Sequence, residues 1–175
     1  NFQIINYFSY FTNQCIVIFA VVFLYLGFSK KGLVSKLNVD SVRGALTAYM
    51  LIVAGLYAVL LANIDDPNRV LWIDFVYHKL LPGTALLSWI VFSPAKSLKY
   101  INIFFWLLYP VAFVTFTLIR GALVNWYPYY FFDPTTGGYF KIFIFSIEVI
   151  VIGLILSSLL IFIGNLLRKL NLFRN

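Results

Sequence analysis

The stretch YFKIFIFSIEVIVIGLILSSLLIFIGNLL, residues 139–167, decides the fold class of this chain. Its only charged side chains are those of Lys141 and Glu148. A helix needs roughly 20 mostly apolar residues to cross a bilayer, because each residue adds about 1.5 Å. This stretch is longer than that, so it predicts a transmembrane helix that tilts or runs past the membrane surface.

Apolar stretches of similar character precede it and fill most of the 175 residues. The predicted spans are residues 4–28, 42–62, 70–92, 98–119 and 139–167. Charged residues make up only 11% of the chain, against roughly 25% in an ordinary soluble domain. A soluble fold of this size cannot hide so much apolar surface, and the runs are too long for barrel strands. The sequence predicts an all-α, polytopic transmembrane helix bundle that forms a single domain over residues 1–175.

Basic residues in the connections predict how the bundle is oriented. They are Lys30, Lys31, Lys36 and Arg43 in the first connection, Lys96 and Lys99 in the third, and Arg168, Lys169 and Arg174 in the C-terminal tail. The second and fourth connections carry fewer basic residues, beside acidic ones. We therefore expect the C-terminus in the cytoplasm and Asn1 on the extracytoplasmic side. A sixth span before Asn1 would return the N-terminus to the cytoplasm, and we expect one.

Several function classes are excluded by composition. The net charge of +7 is spread over separate connections, which does not form the basic face that a nucleic-acid-binding protein needs. With one histidine and one cysteine, the chain has no zinc constellation and no internal disulfide. Glycine-rich phosphate loops, serine elbows and dinucleotide fingerprints are also absent from the sequence. We predict no metal, no cofactor and no nucleic-acid partner.

Polar side chains gather at similar depth near the predicted extracytoplasmic end of the spans. They are Thr12, Asn13 and Gln14 in the first span, Asp74 and His78 in the third, Arg120 at the end of the fourth, and Glu148 in the fifth. A charge in hydrocarbon costs several kcal/mol unless it is paired, neutralised or hydrated. Glu148 therefore needs a proton or a partner. A structural pair with Arg120, a hydrogen bond to Asn13 and a functional role all remain open.

Asp74 and His78 are four residues apart, so they share one face of a helix. A carboxylate that holds one imidazole nitrogen leaves the other basic, as a general base requires. The alternative is an ion pair on the helix surface without chemistry. Thr12 and Cys15, three residues apart, are the candidate nucleophiles, and both could face one cavity.

Two prolines predict local disturbances of the helices. Proline lacks an N–H, so Pro82 leaves the His78 carbonyl without its helix partner, and Pro110 does the same to Trp106. Each freed carbonyl must bond a side chain, water or a ligand, because the hydrocarbon offers no partner. Either proline could equally mark an ordinary kink.

A set of short strings resembles one known family. They are Tyr10-Phe11-Thr12-Asn13-Gln14, His78 followed by Pro82, Trp106-Leu107-Leu108-Tyr109-Pro110, Arg120-Gly121, Trp126-Tyr127-Pro128-Tyr129 and Asp133-Pro134. Together they resemble the bacterial Pr-six-Pr membrane-protein family, a remote relative of the animal androgen-induced and androgen-dependent TFPI-regulating proteins. The resemblance implies a six-helix fold in the bacterial plasma membrane.

The resemblance also implies a reaction. Thr12 and His78 match the threonine and histidine proposed for catalysis in the animal proteins, which hydrolyse fatty acid esters of hydroxy fatty acids. Within that reaction we expect Asp74 to orient His78, Asn13 or Gln14 to donate to the oxyanion, and Arg120 to hold a substrate carboxylate.

The expected function is therefore an intramembrane threonine-type lipid ester hydrolase or acyl transferase, with its site in the outer-leaflet half. Thr12 is preferred to Cys15 as nucleophile because of the resemblance. Glu148 is expected to support the site. The alternative is a non-catalytic lipid-binding or assembly subunit of a membrane complex, whose polar cluster only locks helices together.

Overall fold

The computed structural model describes residues 4–28, 39–64, 67 and 69–170. Its helices are α1 (Ile4–Tyr7), α2 (Phe11–Phe28), α3 (Val39–Leu61), α4 (residues 71–91), α5 (Asn102–Val124) and α6 (Gly138–Leu170). Two 3-10 turns, Tyr130–Phe132 and Pro134–Thr136, lie between α5 and α6. No strand occurs in these ranges, so the predicted all-α bundle is confirmed.

Within the described ranges, α2, α3, α5 and α6 are long and apolar enough to cross a membrane. The third predicted span, residues 70–92, is helical as α4, but Asp74, His78 and Lys79 make it less apolar than those four. The helix bounds differ from the predicted ones by a few residues, and a break at residues 8–10 separates α1 from α2. Several residues on which the orientation prediction rests lie outside the described part of the chain: Asn1, Lys30, Lys31, Lys36 and Arg174.

Two π-helical turns widen the helices beside the predicted site. They are Tyr57–Leu61 at the end of α3 and Val76–Leu80 within α4. Just before Pro82, the Leu81 N–H bonds the Val76 carbonyl, five residues back, instead of the usual carbonyl four residues back. The disturbance predicted from Pro82 therefore takes the form of a π turn that contains His78.

Pro110 lies inside α5 and removes the hydrogen bond that the Trp106 carbonyl would otherwise accept. Tyr49 of α3 donates its hydroxyl to that carbonyl at 2.5 Å. The expectation that another group would satisfy Trp106 is confirmed. The proline thereby links α5 to α3 by a buried hydrogen bond.

Trp89 fixes the packing of α4 against its neighbours. Its fully buried indole donates from Nε1 to the Leu160 carbonyl of α6 at 3.0 Å. A Cβ on Gly164 would lie 2.8 Å from the Trp89 ring, so the missing side chain lets α6 come this close. On α3, a Cβ on Gly44 would overlap the ring of Trp106. Small residues at these helix contacts make room for the large rings.

A partly buried ion pair closes one end of the bundle. The Arg43 guanidinium donates to the carbonyls of Ser88 at 3.0 Å and Phe92 at 2.9 Å, and it lies 3.3 Å from Asp40. Asp40 also accepts from the Ala95 N–H at 2.7 Å. We call these five residues the Arg43 cluster. The sequence pattern assigned Arg43 to the first connection, which is wrong: it is buried within α3.

Asn165 of α6 adds a second connection at the same end. Its side-chain oxygen accepts from the Leu98 N–H at 2.8 Å, and its side-chain nitrogen donates to the Leu98 carbonyl at 2.9 Å. The Asn165 side chain thus bonds both the N–H and the carbonyl of buried Leu98, which lies outside the helices and has no regular backbone partner there.

Candidate functional site

A cavity of about 440 Å³ lies between the helices, at the end opposite the Arg43 cluster. It is lined mainly by aliphatic and aromatic side chains from α2, α3, α5 and α6. Its polar lining consists of Thr12, Tyr57, His78, Thr115, Tyr129, Tyr139 and Ser146. The hydroxyls of Thr115 and Ser146 donate to carbonyls of their own helices. A mostly apolar cavity with a few polar groups is typical of a site for an organic ligand.

His78 reaches the cavity from the π turn of α4. Its Nδ1 lies 3.0 Å from Oδ1 of Asp74 and 3.1 Å from the Asp74 carbonyl oxygen. Two acceptors around Nδ1 favour the tautomer in which that nitrogen carries the proton. Among the described residues, Nε2 makes no hydrogen bond. The neutral imidazole therefore presents a free, basic Nε2, and the predicted Asp74–His78 pairing is observed.

Asp74 is held by groups from outside α4. The Tyr57 hydroxyl of α3 donates to its Oδ2, and Nε of Arg69 lies 3.9 Å from the same oxygen. The Tyr57 ring stacks on the His78 imidazole with centroids 3.9 Å apart and planes 7° apart. We call Tyr57, Arg69, Asp74 and His78 the His78 cluster. Tyr57 fixes both the carboxylate and the imidazole plane.

Arg69 closes the helix end next to this cluster. Its guanidinium donates to the carbonyls of Leu61 at 2.8 Å, Ala62 at 2.7 Å and Ile64 at 2.8 Å. These carbonyls lie where α3 ends, and the Leu61 carbonyl also accepts the Ile64 N–H at 3.2 Å. Arg69 therefore ties the end of α3 to the start of α4 and holds Tyr57 near Asp74.

Thr12 faces the cavity from the first turns of α2. Its Oγ1 lies 3.5 Å from the Tyr129 hydroxyl, and its backbone N–H donates to the same hydroxyl at 3.4 Å. Within the described residues, no hydrogen bond joins Thr12 to His78. The two side chains line one cavity from different helices, so proton transfer between them requires bridging water or a movement that brings them together.

The amides of Asn13 and Gln14 do not line the cavity. Asn13 donates to the Tyr7 carbonyl at 2.8 Å, and Gln14 donates to the Phe8 carbonyl at 2.7 Å. The Gln14 oxygen accepts from the Tyr109 hydroxyl at 2.7 Å. Both side chains thus satisfy the backbone at the break between α1 and α2, away from the position predicted for an oxyanion donor.

Arg120 and Glu148 also lie outside the cavity lining. Arg120 donates to Oδ1 of Asn6 at 2.7 Å, and its guanidinium lies 5.2 Å from the centroid of the Trp126 ring. Glu148 is exposed on α6, and it makes no hydrogen bond or ion pair with any described residue. The structural pairs considered for Glu148, with Arg120 or Asn13, are therefore not formed.

Cys15, the alternative nucleophile, is fully buried and does not line the cavity. It follows Thr12 by three positions on α2, but its side chain packs in the buried core. Of the two predicted nucleophiles, only Thr12 lines the cavity.

Three residues of this site were missed from the sequence: Tyr57, Arg69 and Tyr129. Tyr129 appeared only in the string Trp126-Tyr127-Pro128-Tyr129, without a role, and Arg69 lies in the second predicted connection. Nothing in a single sequence relates Tyr57 to His78, because the two residues lie on different helices. The one available signal was the need of Asp74 for further hydrogen-bond donors within a membrane.

The described residues contain no group of His, Cys, Asp and Glu side chains that could hold a metal ion. Comparison of the chain with family models, with curated proteins and with solved structures found no match. The chain's function must therefore be argued from the cavity and the residues that line it.

Proposed function

We propose that this chain is an intramembrane threonine-type ester hydrolase or acyl transferase that acts on a lipid ester. The observation that carries the proposal is that Thr12 and His78, from different helices, line one apolar cavity, and that His78 has a free Nε2. The resemblance to the Pr-six-Pr family supports the same two residues.

In the proposed reaction, the Thr12 hydroxyl transfers its proton to Nε2 of His78 as Oγ1 bonds to the ester carbonyl carbon. The carbonyl oxygen becomes an oxyanion. When the oxyanion collapses, the ester C–O bond breaks and the leaving alcohol takes the proton from His78. Water, or a second alcohol in a transfer reaction, then attacks the acyl-threonine with His78 again as the base.

The rest of the site supports this chemistry. Asp74 orients the imidazole and stabilises its charged form, while Tyr57 stacks on the ring and donates to Asp74. The aliphatic and aromatic lining of the cavity suits the acyl chain of a lipid. The substrate class is therefore an ester with at least one long apolar chain.

The proposal is tested by labelling purified protein in detergent with a fluorophosphonate probe and locating the adduct by mass spectrometry. We expect an adduct on Thr12 that is lost in both Thr12→Val and His78→Ala. Thr84→Val is the matched control, because Thr84 lies outside the cavity and its hydroxyl bonds the Leu81 carbonyl of its own helix. Labelling that persists in both site variants would refute the proposal.

A non-catalytic lipid-binding subunit is the second candidate. Two observations favour it. The Thr12 hydroxyl lies 3.5 Å from the Tyr129 hydroxyl, and no hydrogen bond joins Thr12 to His78 among the described residues. In this case a fluorescent fatty-acid ester would bind the purified protein without turnover. Equal binding to the wild type and to Thr12→Val, with no product from either, would support it.

We also propose that the cavity end faces the extracytoplasmic side of a bacterial plasma membrane. The support is that Lys96, Lys99, Arg168 and Lys169 all lie toward the Arg43 end. In intact cells, a membrane-impermeant maleimide should label Asn125→Cys at the cavity end but not Ser97→Cys at the other. The reverse pattern would invert the orientation. Native Cys15 is fully buried and should not react.

A further inference from the structure

We propose that Tyr129 is the catalytic hydrogen-bond donor that stabilises the oxyanion formed when Thr12 attacks the ester. The inference deepens the proposed function and rests on it. It concerns a residue to which the sequence pattern gave no catalytic role.

The position of the Tyr129 hydroxyl relative to the nucleophile suits this role. It lies 3.5 Å from Oγ1 of Thr12, which is longer than a normal O–H···O hydrogen bond of about 2.7–2.8 Å. In the tetrahedral intermediate, the oxyanion is separated from Oγ1 by a single carbon atom. A donor that stands just beyond hydrogen-bond distance from the nucleophile can therefore reach the oxyanion at about 2.7–3.1 Å.

The Tyr129 hydroxyl is a donor rather than a base. Burial raises the pKa of Tyr129 to about 12, so the hydroxyl keeps its proton near neutral pH. The Thr12 N–H already donates to the tyrosine oxygen at 3.4 Å. That contact occupies the oxygen as an acceptor and leaves the O–H free to turn toward a third atom in the cavity.

Several other polar groups near the cavity are already engaged elsewhere. The amides of Asn13 and Gln14 donate to the Tyr7 and Phe8 carbonyls and do not line the cavity. The hydroxyls of Thr115 and Ser146 do line it, but they donate to their own helices. Tyr57 donates to Asp74. Among these candidates, Tyr129 alone combines access to the cavity with contact to Thr12.

The segment that carries Tyr129 is held rigidly, as a preorganised donor requires. The Tyr129 ring stacks on Phe131 at 4.9 Å and meets the edge of Tyr10 at 5.3 Å. Further along, Oδ1 of Asp133 accepts from the N–H and the hydroxyl of Thr135 at 2.9 and 2.7 Å, which lowers the pKa of Asp133. These contacts fix the turn between α5 and α6 over the start of α2.

The test is the hydrolysis of p-nitrophenyl octanoate by purified protein in detergent micelles. Tyr129→Phe keeps the ring contacts and removes only the hydroxyl. We expect kcat to fall on the order of 100-fold, as for loss of one oxyanion donor, while KM stays near the wild-type value. Tyr130→Phe is the matched control, because Tyr130 is the neighbouring residue and lies outside the cavity lining. It should keep wild-type kcat.

The outcomes separate this inference from the proposed function. Hydrolysis that depends on Thr12 but proceeds at wild-type kcat in Tyr129→Phe would overturn the role of Tyr129 and leave the function standing. Hydrolysis that is unchanged in Thr12→Val would overturn both. If Tyr129→Phe does not fold, 3-fluorotyrosine placed at position 129 keeps the ring and changes the acidity of the hydroxyl. An altered kcat would then support the donor role, and an unaltered kcat would overturn it.

Discussion

The Arg43 cluster and the His78 cluster each place a carboxylate beside a nitrogen-bearing side chain inside the bundle, but only the second borders a cavity. In the Arg43 cluster, the guanidinium and the carboxylate are bonded to each other and to backbone groups of Ser88, Phe92 and Ala95. In the His78 cluster, Nε2 of the imidazole has no partner among the described residues.

The difference shows how similar polar residues can serve two purposes. A polar group in a membrane bundle needs partners, and a group whose partners are all protein atoms holds helices together. A group left with an unused basic nitrogen beside an apolar cavity is available to a ligand.

Replacing Arg43 with methionine should cause the largest loss of stability. It removes the charged partner of Asp40 and one donor to each of two backbone carbonyls, and a hydrogen bond to a charged group typically contributes about 1.5–3 kcal/mol. The measurement is the midpoint of unfolding by SDS in mixed micelles. Arg43→Lys should recover part of the loss. An unchanged midpoint would mean that the Arg43 cluster does not hold the bundle together.

Replacing Asp74 with asparagine should act mainly on activity. The amide removes the charge that orients and stabilises the His78 imidazolium, so kcat/KM should fall on the order of 100-fold. Hydrolysis of p-nitrophenyl octanoate provides the measurement. Asp40→Asn is the matched change in the Arg43 cluster and should lower stability without this loss of kcat/KM. Equal effects of the two changes on kcat/KM would remove the distinction between the clusters.

Replacing Asn165 with alanine should have an intermediate effect on stability alone. The side-chain amide is the partner of both the N–H and the carbonyl of buried Leu98, and each unsatisfied group costs about 1–3 kcal/mol unless water reaches it. We expect a loss near the lower limit, because this connection lies at the end of the bundle. Thermal unfolding followed by circular dichroism measures it. Loss of activity without loss of stability would contradict a purely structural role.

Replacing Glu148 with glutamine should have the smallest effect. The side chain is exposed, lies outside the cavity lining and has no partner among the described residues. Both the unfolding midpoint and kcat/KM should stay near wild type, with a change in stability within about 0.5 kcal/mol. A tenfold or larger loss of activity would restore the supporting role first expected for Glu148.

Much of the fold was predictable from local patterns. The apolar stretches, interrupted by charged and turn-forming connections, predicted the helices to within a few residues. Proline chemistry predicted that the Trp106 carbonyl would need a new partner, and the i, i+4 spacing predicted the Asp74–His78 contact. These successes share one cause: each depends on residues that are close in sequence or on the length of a single helix.

The site was predicted less completely. Thr12 and His78 line one cavity, as their matched depth suggested. Depth along a helix does not specify direction around it, so Asn13, Gln14 and Glu148 were expected at the site and turn away from it. For the same reason Cys15 remained a candidate until its burial was known.

The sequence alone therefore identifies a helical membrane protein whose apolar spans are joined by charged connections. Hydrophobic length and charge placement are properties of each segment alone, and they follow directly from transfer between water and lipid. The tertiary structure decided which polar groups meet. Tyr57 on His78, Tyr129 on Thr12 and Arg43 on Phe92 are contacts between distant segments. They depend on how each helix is rotated about its axis and packed against its neighbours. The small residues and large aromatic rings at the helix contacts determine that packing together.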